Sequence, residues 1–210
     1  MTNINLIGII DIFLLILYSY LFIKADDKLL KLYILFGGLN ELCWTIDILF
    51  EKILPFNVIQ VIVSSSYIFD WFVAIFGILI IFNLLNFHNK KIKWVVYGFS
   101  LIFLISLIIF PPNRLNTSQF VVQYWSSISL GISSIIFITP IILVMNEILL
   151  GNKIKDIPII LSISFFIIGE EIIGSLVFVG FWQGYLTEAL ILAPLFYSLY
   201  SKSIKTKRII

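Results

Sequence analysis

Carboxyl groups raise the sharpest chemical question in this sequence. Asp11, Glu41, Asp47, Asp70, Glu170, Glu171 and Glu188 each sit between the middle and one end of a long apolar stretch, and no Lys or Arg stands at comparable depth. Insertion scales charge roughly 2.5–3.5 kcal/mol for an acidic residue at the centre of a membrane helix. Repeated along one chain, that cost requires compensation, and three arrangements supply it. The acids can be protonated and hydrogen-bonded to one another, to Asn40, or to Tyr and Ser hydroxyls. They can surround a bound cation. They can line a water-filled pocket. All three turn the acids inward, and all three are ways of handling a proton, a cation or a small polar solute.

The spacing divides the acids into roles. Glu41, Asp70, Glu170 and Glu171 are deepest, and Asp47 and Glu188 are nearest the surface. Asp70, Glu170 and Glu41 are therefore expected in the site, with Glu188 and Asp47 at its outward mouth. In "IIGEEIIG", neighbouring residues on a helix point about 100° apart, so Glu170 and Glu171 cannot face one partner. Glu171 has Gly174 and Ser175 one turn on, a small face that suits helix–helix approach, which leaves Glu170 for the pocket. Asp70 closes "SSSYIFD", with Ser66 and Tyr67 one turn before it, and Glu188 has Gly184 and Tyr185. Trp44 lies three residues after Glu41 and Trp71 directly follows Asp70, so an aromatic-plus-carboxylate pocket for an organic cation is a further option. Ser126, Ser129 and Ser133, with Gly131, recur at near-helical spacing and read first as ordinary packing by small residues.

Other chemistries find little support. The single cysteine, Cys43, allows no intrachain disulfide, and the single histidine, His88, lies in a lysine-rich loop, so no His/Cys metal site is expected. No nucleophile motif is present and no cofactor is implied. An enzymatic alternative would use a protonated carboxyl as general acid on an isoprenoid or other lipid. A third alternative is a receptor or assembly subunit, which would need a membrane partner to signal.

These side chains need elements to hold them. Of the 210 residues, 60% are hydrophobic and 12% charged, with a mean hydropathy of +1.09, against roughly 25% charged in a soluble domain. A net charge of +2 is too small to point to nucleic acid. A helix needs about 20 apolar residues to cross a bilayer, and polar or Pro/Gly punctuation cuts the chain into seven such stretches. They are 4–23, 29–50, 58–86, 92–110, 119–149, 157–179 and 184–200, the last two joined by a "GFWQG" turn. The first stretch has no basic leader before it and no small-residue cleavage signal after it, and reads as a membrane helix. Pro140 and Pro194 are expected to free a carbonyl in the fifth and seventh helices.

With the loops numbered alternately, one side receives every basic residue of the 14 except Lys52 and Arg114. The positive-inside rule then places the N-terminus outside and the C-terminus in the cytoplasm. Asn40-Glu41 and Glu170-Glu171 in the second and sixth helices, and Asp70 and Glu188 in the third and seventh, outline a 3+1+3 pseudo-repeat. The expectation is one all-α domain, a seven-helix bundle of the cell membrane. Its function would be transport, alone or as the membrane subunit of a transporter, with the lipid bilayer and a second copy or membrane subunit as partners.

Four families share features with this layout. Seven helices in this orientation, and "DW" in the third, are similar to the microbial rhodopsins, but residues 184–200 offer no Lys for retinal. "EE" in a membrane helix resembles the CAAX-type intramembrane proteases, whose later Arg is Ser175 here and whose histidines are missing. The 3+1+3 layout resembles the SWEET and PQ-loop transporters, without their Pro-Gln pair. "WTID" followed by Asp70 is similar to the heptahelical carotenoid cyclases, whose Pro-x-Glu-Glu is absent. No family is assigned on these residues.

Overall fold

The structure is a computed structural model that describes residues 3–50, 52–109, 113–116, 121–124, 141–151, 156–166 and 181–207. These residues form helices α1 (Asn3–Lys24), α2 (Lys28–Phe50), α3 (Phe56–Leu84) and α4 (Lys90–Ile109), strands β1 (Asn113–Asn116) and β2 (Val121–Tyr124), and helices α5 (141–149), α6 (Ile157–Phe166) and α7 (Phe181–Lys207). The chain divides into two units, one of Met1–Val73 with Ile102–Ser129 and one of Ala74–Leu101 with Leu130–Ile210.

Polar residues between the apolar runs set the helix ends. Asp27 caps α2, its Oδ1 accepting the Leu30 N–H at 2.8 Å, and Asn89 caps α4 by accepting from Lys91 and Ile92. Both satisfy amides that the first turn leaves without a partner. Pro55 precedes α3, where its missing N–H is no loss, and its carbonyl receives the amides of Val58 and Ile59. At the other end of α3, Asn86 takes the left-handed conformation (φ 49°) and the Phe87 amide reaches back to the Phe82 carbonyl at 2.9 Å. The Phe82 and Phe87 rings then stack, centroids 5.2 Å apart. This is the Schellman stop with its customary apolar contact. Gly151, at φ 71°, ends α5 in a related way.

Among the described residues, two helices, α2 and α3, are long and apolar enough to cross a membrane by length and composition, and α6 is a shorter apolar helix. Apolar residues cover the exposed faces of the helices as well as the buried ones, while a few polar groups are buried. In α1, Gly8, Asp11, Leu14, Tyr18 and Leu21 recur at three- and four-residue spacing and are buried. The opposite stripe, Ile9, Ile12, Phe13, Ile16 and Ile23, is apolar and exposed, Ile9 to 63% and Ile23 to 74%, and is interrupted by Ser19 and Tyr20. α4 buries Val96 and Ser100 and exposes Leu101, Ile105 and Ile108, and α6 buries Ile159, Ile160, Ser162, Ile163 and Phe166 while exposing Ile157 and Leu161. An amphipathic helix in water turns polar residues outward, and contiguous exposed apolar surface marks contact with lipid or a partner. Several hydroxyls are satisfied within their own helices, as where Ser19 donates to the Leu15 carbonyl and Ser65 to that of Val61, both at 2.8 Å.

Three expectations are corrected. Residues 121–124, expected as helix, are strand β2, paired antiparallel with β1 in the register Leu115↔Val122 and Asn116↔Val121. Val121, Val122 and Tyr124 are β-branched or aromatic, which suits a pleated pairing better than a helix start. The "GFWQG" turn contains the first residues of α7, because a single Gly without a second turn residue breaks a helix only weakly. α7 also runs on past Tyr200 to Lys207, lysine being a good helix former. Pro194 lies within α7, where it removes one backbone hydrogen bond. Pro140 and the serine series of 126–133 lie outside the described residues.

Candidate functional site

Helices α1, α2 and the first part of α3 belong to one unit and alternate in direction. A Cβ on Gly8 would meet Leu49, while one on Gly37 or Gly38 would meet Tyr18, so α1 and α2 run antiparallel with glycines at the seam. Small residues permit this close approach of two backbones. Toward α3, Phe36 stacks on Phe72 at 4.5 Å and 20°, and tilts against Phe69 at 6.0 Å. Asn40 Nδ2 donates to Asp70 Oδ1 at 2.5 Å, which fixes α2 and α3 antiparallel as well.

The buried stripe of α2 changes character along its length. Near the α1–α2 turn it is Leu30, Tyr33 and Ile34; beyond Gly37 it becomes Asn40, Glu41, Thr45 and Asp47. Glu41 is 7% exposed and Asp47 5%. The Thr45 hydroxyl donates to the Glu41 carbonyl at 2.8 Å, so it needs no other partner. Asp11 is 2% exposed on α1, and interpolation between the two α1–α2 seam contacts puts it level with Thr45. On α3, Ser66 is buried and donates to the Val63 carbonyl at 2.7 Å, while Tyr67 and Asp70 are half-buried. Trp71 is buried with its ring edge-on to Phe72 at 4.7 Å, and Trp44 is half-buried.

The structure thus gathers Glu41, Asp47, Trp44, Asp70, Tyr67 and Trp71 on two adjoining helices and joins them through Asn40. Asn40 was expected only as a hydrogen-bond partner, and Asp11 only among the deep acids. Both have a legible signal, since Asn40 lies one turn from Gly37 on the packed face, and Asp11 falls on the spacing of Gly8, Leu14 and Tyr18. Glu188 is half-buried on α7, in the second unit. Glu170 and Glu171 lie outside the described residues.

The chemistry available here is that of hydrogen-bond acceptors. Asn40 Oδ1 is buried and has no hydrogen-bond partner among the described residues, an unusual condition for a polar atom. No Lys or Arg is among the buried residues described. No group of three or more His, Cys, Asp and Glu is placed to hold a metal ion among them either. Such groups suit a partner that donates hydrogen bonds or carries positive charge. Comparison of the chain with protein families, with curated proteins and with solved structures finds no match.

Proposed function

We propose that this chain is a multi-pass membrane protein, with its N-terminus outside and its C-terminus cytoplasmic, that moves protons, a cation or a small polar solute through a carboxylate-lined site. The observation that carries this reading is the pairing of exposed isoleucine and phenylalanine with buried carboxyl groups at Asp11, Glu41 and Asp47. Ionisable groups inside a membrane bundle mark ion and proton paths more often than plain packing, because their cost must be offset by use.

Two further observations support it. The lysines near the α1–α2 turn rest on aromatic rings, Lys24 Nζ 5.8 Å from the Tyr20 centroid and Lys31 Nζ 5.9 Å from that of Phe22. Lys93 lies 5.5 Å from Phe82 beside the exposed Trp94. Basic and aromatic residues pair in this way at the cytoplasmic boundary of a bilayer. Asp70 and Glu188 are both half-buried, as a repeat of the first three helices by the last three would require. In that arrangement Glu170-Glu171 would stand where Asn40-Glu41 stands.

Flux in proteoliposomes tests the function. With a pH dye or labelled solute inside the vesicles, Asp70→Asn is expected to abolish uptake and Glu170→Gln to reduce it. Unchanged uptake in both would leave the Asn40–Asp70 contact as a tie between helices and end the transport reading. Topology is tested in a Cys43→Ala background by single cysteines at Asp26, Ile53 and His88. An impermeant maleimide added to intact cells should label only the Ile53 position, and labelling at Asp26 would reverse the orientation.

A further inference from the structure

The orphaned oxygen of Asn40 narrows the guest. Asn40 is 8% exposed, its Nδ2 is engaged by Asp70, and its Oδ1 faces no donor among the described residues. A buried acceptor without a donor costs about 1–3 kcal/mol, so the arrangement is incomplete as it stands. Nδ2 is the Asp70 end of the amide and nothing among the described residues holds Oδ1 at the other, so the Asp70 end alone decides which way the amide is turned. An ionised carboxyl there accepts from the NH₂, a protonated one donates to the oxygen once the amide has turned, and neither needs space beyond that already occupied.

We propose that Asn40 and Asp70 form a proton-holding pair with two arrangements. With Asp70 ionised, the Asn40 N–H donates to the carboxylate, as seen here. When Asp70 takes a proton from hydronium, leaving water behind, the Asn40 amide turns about its terminal bond. The new Asp70 O–H then donates to Asn40 Oδ1. Release returns the proton to water and the amide to its first position. The amide keeps its shape through the turn, because its oxygen and NH₂ are nearly equal in size. The surroundings favour a proton over other compensation. From α2, Glu41, Cys43 and Asp47 are the titratable groups near the pair, Tyr67 shares the helix of Asp70, and Asp11 comes from α1; all are acids or neutral.

This names the guest of the transport site and rests on that reading, but its test reads protonation directly. Infrared difference spectra of the full chain in lipid nanodiscs should show a protonated-carboxyl C=O band that grows as pH falls. Part of that band should vanish in Asp70→Asn. In Asn40→Leu the Asp70 component should remain but move to higher frequency, because its O–H has lost its acceptor. Labelling aspartate with ¹³C at the carboxyl separates Asp from Glu components in the unaltered chain. If Asp70→Asn fails to fold, Asp11→Asn and Asp47→Asn, each labelled, identify the Asp70 component by elimination. An aspartate band that is insensitive to Asp70→Asn, or an Asp70 component unmoved by Asn40→Leu, overturns the proposal. Loss of flux in Asp70→Asn without a titrating Asp70 band overturns it too, while leaving transport of another solute intact. A titrating band with wild-type flux in Asp70→Asn supports the pair and removes the transport role.

Discussion

Helix α2 meets its two neighbours with different materials. Toward α1 it offers Gly37 and Gly38, and the Tyr18 ring closes over them. Toward α3 it offers the Phe36 ring and the Asn40 amide, which reach across to Phe72 and Asp70. Without a hydrophobic drive between helices in lipid, association rests on close backbone approach or on interhelical hydrogen bonds. One helix uses both, one on each side. The glycine seam has no room for added atoms, whereas the polar seam has chemistry to lose.

The largest expected effect breaks the glycine seam. A Cβ on Gly37 would stand 2.8 Å from Tyr18 Cε1, so Gly37→Leu should destabilise by about 1–3 kcal/mol, read as a shift in SDS-induced unfolding from mixed micelles. Next comes the polar seam. A double-mutant cycle of Asn40→Ala and Asp70→Ala should give a coupling of about 0.6–1.7 kcal/mol. A coupling of zero would mean the hydrogen bond adds nothing to the association of α2 with α3. The Phe36–Phe72 stack should couple by about 0.5–1.5 kcal/mol in the same assay. The smallest effect sharpens the comparison by reversing its sign. Gly98 in α4 has nothing within 4 Å of a Cβ, so Gly98→Ala should stabilise by roughly 0.5–1 kcal/mol. Equal responses at Gly37 and Gly98 would erase the distinction between a packed and an open glycine.

Much of the first half was legible in advance, for a physical reason. α1 to α4 differ from the apolar runs 4–23, 29–50, 58–86 and 92–110 by at most two residues at either end. The shifts come from Asp27 and Asn89, whose capping bonds fix the starts, and from Asn86, whose left-handed turn closes α3 early. The hairpin was not legible, because Val121 and Val122 suit a membrane helix and a strand equally well by hydropathy, and only pairing with Leu115 and Asn116 decides between them. For the site, the cost of charge in hydrocarbon predicted inward-facing acids; Asp11, Glu41 and Asp47 are buried, Asp70 and Glu188 are half-buried, and Glu170 and Glu171 lie outside the described residues. The Asn40–Asp70 pairing did not follow, since it joins residues thirty positions apart and depends on how two helices are set against each other.

The polar half of α2 also bears on how this chain is made. Asn40, Glu41 and Asp47 lie on one helix, and on the proposed membrane reading each acid would add roughly 2.5–3.5 kcal/mol if that helix entered the bilayer alone. Their shielding comes from neighbours supplied before and after them in synthesis. Entry of α2 as a hairpin with α1, joined by the short Ala25–Asp27 link, would shorten the time those groups face acyl chains. On the proposed membrane reading, Tyr18 and the glycines it covers would give the insertion machinery a pre-paired unit to release.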